Sequence, residues 1–289
     1  MVGFRQQRWR WWIPALAAGL ALAPRAQAQA VNEAAAALVD RAFRNLYEDD
    51  YVQTLALASR ARGGREMLRK LQITRKQSAP PGRALVRFLE PPAVRRTSIL
   101  VIEHSGASDD HYVYLPALRR TVHLSSAQRA DSFFGTDLAY EDMEPKKAAD
   151  YQVRWLDGAE ADADGCAVVE IRPRPDAEST YERMVSCIET ERAVIRWTDF
   201  FRNGALHKRL EIDPQSVRRI GDRFIPFTIR VATPGRDSQT RVLTESYEIL
   251  PGIPDRIFSA ANLEAGDAER DRARAAETSR DPQPGEAAR

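Results

Sequence analysis

His104, His111 and His123 lie in one stretch beside Asp109 and Asp110. Imidazoles with carboxylates are the donor set of a transition-metal site. Their spacing, however, follows no ligand pattern, so they read as surface or strand-face histidines and no metal is expected. Asp109-Asp110 reads as a hairpin turn. A second acidic group, Glu141, Asp142 and Glu144, could supply a general acid and base, but no partner residue stands near it in the sequence. These acids are expected to solvate the outside of a short helix capped by Asp137. The chain has no G-x-S-x-G, H-E-x-x-H, P-loop or G-x-G-x-x-G motif. No enzymatic step and no cofactor are therefore expected.

The two cysteines, Cys166 and Cys187, suggest a different chemistry. CAVVEIR and YERMVSC flank RPRPDAEST, whose prolines and acids are turn material. An antiparallel hairpin centred between Asp176 and Ala177 sets Cys166 opposite Cys187, Val168 opposite Val185 and Glu170 opposite Arg183. Directly opposed Cα atoms lie roughly 4.5–5.5 Å apart, within disulfide range. A disulfide staple is expected.

The elements around these residues are mostly strands. One clear helix is expected over 31–47, with Ala35, Leu38, Val39, Ala42, Phe43 and Leu46 on one face and Asn32 available as a cap, and one or two short helices besides. Short strand-like runs follow to Leu250, eleven to thirteen of them, bounded by Gly, Pro and Asp. DRFIPFTIRVAT (222–233) reads as one strand that turns at Pro234-Gly235 into QTRVLTESYEIL. Between two blocks of strands stands DSFFGTDLAYEDM (131–143), where adjacent phenylalanines precede a glycine that permits a sharp corner. Sequential hairpins imply a mainly β fold, one large curved antiparallel sheet with helices covering a face.

Both ends differ from this body. Residues 1–28 join basic Arg5, Arg8 and Arg10 to a short apolar run and Ala26-Gln27-Ala28, the anatomy of a cleaved export signal. The run is too short to span a bilayer. No cysteine at the cleavage point offers a lipid anchor, and no arginine pair points to twin-arginine export. Cleavage after Ala28 removes four arginines from 43 basic residues, leaving 39 against 41 acids and a net charge of −2. That balance predicts no nucleic-acid partner. Residues 264–289 contain no Leu, Ile, Val or aromatic residue and read as a disordered tail, leaving 29–263 as a single domain.

The order of signals resembles a known family. FLEPPAVRRTSILVIEH (88–104), then YVYLPALRR (112–120), then FFGTDLAYEDM (133–143) is similar to the LolA-like outer-membrane lipoprotein-sorting proteins of the periplasm. The similarity runs from about Leu46 to Leu263 and implies an unclosed β-barrel, or half-barrel, whose helices lid a concave face holding lipid. It further implies a periplasmic carrier of lipoprotein or other lipid acyl chains, with an inner-membrane transporter and an outer-membrane acceptor as partners. Candidate wall residues are Ile99, Val101, Tyr112, Tyr114, Phe133, Phe134, Leu138, Tyr140, Trp155, Trp197 and Phe200. Such carriers latch their lid with an arginine, for which the resemblance offers Arg87, Arg95, Arg96, Arg119, Arg120 and Arg129 as candidates. Two alternatives stay open: an envelope-stress sensor that binds lipid and an inner-membrane protein, and a lipid-binding accessory of a resistance-nodulation type transporter.

Overall fold

The computed structural model describes residues 23–104, 109–156, 166–259 and 262–263. Most of the expected export signal, and the tail from 264, lie outside the described residues. Helix α1 spans Ala23–Tyr47, longer than the periodicity predicts. Pro24 suits a first helical turn, and no Gly or Pro follows before Tyr47 to stop the helix. Asn32 therefore sits in the helix interior rather than at its cap, at a cost of well under 1 kcal/mol. The expected face is the buried one: Ala35, Leu38, Val39, Ala42 and Phe43. No helix among the described residues is long and apolar enough to cross a membrane.

The strands are β1 Tyr51–Ala61, β2 Met67–Lys76, β3 Arg83–Glu90, β4 Ser98–Ile102, β5 Asp110–Leu115 and β6 Arg120–His123, then β7 Tyr151–Trp155, β8 Cys166–Pro173, β9 Arg183–Glu189, β10 Val194–Arg202 and β11 Ala205–Ile212. β12 Val217–Ile220, β13 Arg223–Pro226, β14 Thr228–Thr233 and β15 Ser238–Ile249 complete them. Thirteen form one antiparallel sheet, in the order β6-β5-β4-β3-β2-β1-β15-β14-β11-β10-β9-β8-β7. β15 returns beside β1 and so joins the two meanders. β6 and β7, at the two edges, do not pair with each other: the sheet is an open half-barrel.

Two local readings are corrected. The run 222–233 is not one strand. It breaks at Phe227, because Pro226 has no N–H to continue a ladder, and the next two amides turn to Ser216: Phe227 N–H donates to its carbonyl (3.2 Å) and Thr228 N–H to its Oγ (3.0 Å). The freed residues of β13 pair with β12 as a separate two-stranded sheet.

The cysteine hairpin is shifted by two residues from the expected register. Val168, not Cys166, faces Cys187, and Glu170 faces Val185. A two-residue shift keeps every side chain on its face, so the cysteines meet as diagonal neighbours, Cα to Cα 5.7 Å, and the disulfide is made. The Glu170 carboxylate gathers Arg154 (2.9 Å) from β7 and Arg172 (2.8 Å) from its own strand.

Three cores result. Helix α1 packs on the inner face of β7–β10, around Val153, Val169, Ile171 and Ile188. The 131–143 corner packs on the inner face of the opposite half, around Leu71, Val86, Phe88 and Ile99. On the outer face Leu85 and Leu100 are covered by Ile253, Ile257, Phe258 and Leu263. The disulfide closes a loop with a sequence separation of 21, worth about 3 kcal/mol in the chain-entropy model. Cys166→Ser/Cys187→Ser should lower the urea midpoint accordingly; an unchanged midpoint would show that the staple adds nothing.

Candidate functional site

The corner between the two meanders is made by backbone that few sequences adopt. Phe134 (φ 51°) and Gly135 (φ 75°) are consecutive left-handed residues. Glycine takes this conformation freely, whereas at Phe134 it costs roughly 1–2 kcal/mol. Aromatic packing offsets that strain: Phe88 lies 4.5 Å from the Phe134 ring and 5.6 Å from Phe133, and Tyr140 lies 5.5 Å from Phe133. The loop closes on itself through Ser132 Oγ, which donates to the Thr136 carbonyl (2.6 Å), and Thr136 Oγ1, which donates to the Phe133 carbonyl (2.7 Å).

Acidic side chains then pin the corner to the sheet, contrary to the expectation that they solvate an outer surface. Asp137 is not a helix cap. It is buried and accepts from Ser238 Oγ (2.5 Å) and Thr240 Oγ1 (2.7 Å) on β15. Glu141 is 1 % exposed and accepts from the Thr180 amide at 2.9 Å and from the Ser179 and Thr180 hydroxyls. Asp142 pairs with Lys208 of β11 and accepts the Tyr181 hydroxyl at 2.9 Å. Glu144 takes both Arg129 Nε (2.7 Å) and Nη2, with His111 Nε2 3.0 Å away. Burial pushes both carboxyl groups up, but Lys208 and Lys146 outweigh it at Asp142, as His111 and Arg129 do at Glu144. Both sit below the ordinary carboxylate range. Lys208 itself is lowered by burial, which Asp142 only partly offsets.

Between the corner and α1 the middle strands of the inner face are not covered. A cavity of about 210 Å³ lies there. Leu55, Ile73, Val242, Ile229, Val231, Leu210 and Phe200 form its floor; Phe43, Leu46 and Tyr47 of α1, with Leu138 and Met143 of the corner, roof it. Tyr51 and Tyr247 stack on the wall at 4.7 Å. Four charged residues also line it: Arg75, Asp142, Lys146 and Lys208.

Of the eleven wall candidates, Leu138 and Phe200 lie on this cavity. Ile99, Val101, Phe133, Phe134 and Tyr140 belong to the packed core under the corner, and Trp155 packs against the helix core. Tyr112 and Tyr114 are on the outer face. Tyr112 opposes Leu100 and Tyr114 opposes Ser98, so the pleat turns them away from the inner set of Ile99, Val101 and Val113. The Trp197 ring lies under the Arg209 guanidinium, 4.7 Å from it, and does not line the cavity. Sequence reasoning missed Tyr47, Tyr51, Arg75, Lys146, Lys208 and Tyr247. Lysine in the apolar strand ALHKRLEI was the available signal, since a buried lysine implies a buried acid. His104 and His123 share Asp110 (2.9 and 3.0 Å), away from the cavity, and no group able to hold a metal is found among the described residues.

Replacing Lys208 by Met strands the Asp142 charge and should cost about 3–5 kcal/mol; adding Asp142→Asn should recover most of it. Equal losses in single and double variants, measured by chemical denaturation, would refute the pairing. Because Asp142 and Glu144 titrate below their unfolded values, the stability that they contribute is present above about pH 4 and is lost as pH falls through their depressed values. Hydrogen exchange across 131–144 should therefore quicken, relative to the sheet core, on acidification below pH ~4. Protection of the corner that tracked the core at every pH would contradict this.

A family described as a "-like" uncharacterized protein matches residues 82–265. Among curated proteins none matches the sequence significantly. Solved structures give the same architecture at low identity. A DUF1329 family protein from Desulfovibrio piger is 23 % identical with a TM-score of 0.74, over 81 % of this chain and 99 % of its own. A protein described as an outer membrane lipoprotein-sorting protein domain, from Vibrio parahaemolyticus, is 22 % identical with a TM-score of 0.72 over the same shares. A LolA superfamily protein from Nitrosomonas europaea is 19 % identical with a TM-score of 0.64, over 79 % of this chain and 98 % of its own. With more than half of its length matched by the family model, the chain belongs to that family, and it shares its half-barrel fold with these structures.

Proposed function

We propose that this chain is a periplasmic carrier that holds the acyl chain of a lipoprotein or another lipid in the cavity between α1 and the 131–143 corner. It makes and breaks no bonds. The observation that carries this reading is the unfilled apolar floor on the middle strands of the inner face. Elsewhere that face is plugged by the protein's own side chains. An apolar floor left facing water forgoes about 25 cal/mol for every Å² that it could bury, a standing cost to the fold.

An acyl chain offsets this cost. Each methylene removed from water contributes about 0.8 kcal/mol, and 210 Å³ admits roughly seven water-sized groups at ~30 Å³ each. A longer chain needs more room. The cavity is not closed off, so a longer chain can extend beyond it. The likeness to lipoprotein-sorting folds supports the same reading.

Leu210→Trp tests it by filling the cavity without adding charge. Fluorescent fatty-acid binding should fall about tenfold or more, the effect of displacing two or more methylenes, while the thermal midpoint holds or rises. Lipid recovered with the protein from periplasm should be absent from the variant. Undiminished binding by Leu210→Trp would overturn the assignment of this cavity.

A further inference from the structure

The roof of the cavity contains a cation that the fold does not use up. Lys146, just past the corner, donates one N–H from Nζ to the Glu141 carbonyl at 3.0 Å. An ammonium has three donors. Each nearby acid has other partners: Glu141 has Ser179 and Thr180, Asp142 has Lys208 and Tyr181, and Glu144 has Arg129 and His111. No carboxylate among the described residues lies within ion-pair distance of Lys146. Burial disfavours its charge, yet its pKa is raised rather than lowered, with the Glu141 and Glu144 carboxylates favouring the charged form, so the ammonium stays protonated.

A second donor converges on the same end. Arg75, from β2, also lines the cavity. Its Nη1 is held by Glu103 at 3.3 Å and its Nε by the Tyr51 hydroxyl at 3.3 Å, leaving Nη2 without a bond to the described residues. Tyr47 of α1 is near both cations: the Arg75 guanidinium is 5.5 Å from its ring, and Lys146 lies within electrostatic reach of its hydroxyl. A wall made for hydrocarbon alone would not carry these groups, since an unsatisfied charged donor in an apolar enclosure is expensive.

We propose that Lys146, with Arg75 beside it, receives the oxyanion head of a single-chain amphiphile whose tail lies on the apolar floor, so that the cargo is an anionic lipid rather than a neutral one. This rests on the carrier reading above. The shared ligand chemistry is a carboxylate or phosphate oxygen accepting charge-assisted hydrogen bonds.

Titration calorimetry with dodecanoate, dodecyl phosphate and dodecanol tests it, since the three share one tail. The wild-type protein should prefer either anion to the alcohol by about tenfold or more, the value of one hydrogen bond to a charged group. In Lys146→Met that preference should collapse toward parity, and Lys146→Arg should restore it. A stronger response to dodecanoate or to dodecyl phosphate identifies the head as fatty acid or phosphate. Equal binding of all three by the wild type, or a preference that survives Lys146→Met in a variant with wild-type circular dichroism and melting, would overturn the head-group site and leave the carrier intact. Failure of all three to bind would overturn both.

Discussion

A thirteen-stranded antiparallel sheet whose edges do not meet must bury its inner face with something other than its own closure. In a closed barrel, strands opposite one another fill the interior with each other's side chains. Here β6 and β7 stand apart, and among the described strands only the small β12–β13 sheet, whose Ile225 and Pro226 line the cavity, lies outside the large sheet. Burial falls to two inserted pieces: α1 over one half and the aromatic corner over the other. Each covers its own half. The strip between them, on β1, β15, β14, β11 and β10, is where the cavity opens. The hollow is thus a consequence of topology and not of any single substitution.

The two pieces are attached by different physics. Helix α1 is held mainly by its apolar stripe, with Asn45 Nδ2 donating to the Arg192 and Ala193 carbonyls (2.9 and 3.0 Å) at its C-terminal end. The corner combines aromatic packing with four buried carboxylates, each met by a partner from a different element. Such contacts fix geometry while adding little net stability, because ions leaving water lose hydration about as large as the attraction gained. For the same reason they separate at moderate cost once water or a polar head can reach them. The aromatic contacts behave oppositely, opposing exposure to water but tolerating exchange for another hydrocarbon. A roof fastened in this way is well matched to a ligand with a tail and a polar end.

Much of the architecture was legible because strand alternation and turn residues are local signals. The helical face from Ala35 to Phe43, the meander of hairpins and the Cys166–Cys187 pair all follow from short-range pattern. Register was less legible: the turn 174–182 contains several equally good centres, and a shift of two residues preserves every face, so nothing in the hydrophobic pattern distinguishes them. The wall of the cavity was harder still. Tyr112 and Tyr114 look like lining residues, but which face of a strand is inward depends on pairing with Leu100, a long-range fact. Phe133 and Phe134 marked the right corner yet proved to be its anchor rather than its lining. The acids at 141, 142 and 144 were misread because their partners, Thr180, Lys208 and Arg129, are scattered through the chain.

The division of labour in the cavity follows from how weakly apolar surfaces discriminate. One methylene more or less in a hydrophobic pocket changes affinity by only about 1–3 kcal/mol, so Leu55, Val242, Ile229 and Leu210 can hold a tail but hardly select among tails. Selection has to come from groups that are penalised when the wrong partner leaves them unsatisfied. Within this cavity those are few: the Gln53 amide is already engaged by the Thr244 hydroxyl (2.9 Å), and Ser186 and Thr198 bond to each other (2.8 Å). Lys208 is engaged by Asp142. Among the described residues Lys146 and the free edge of Arg75 remain as charged donors, with the Tyr47 and Tyr247 hydroxyls as neutral ones. A polar end beside an apolar floor orients an amphiphile as well as holding it. Any movement of the corner that carries Lys146 away would therefore loosen head and tail in the same step.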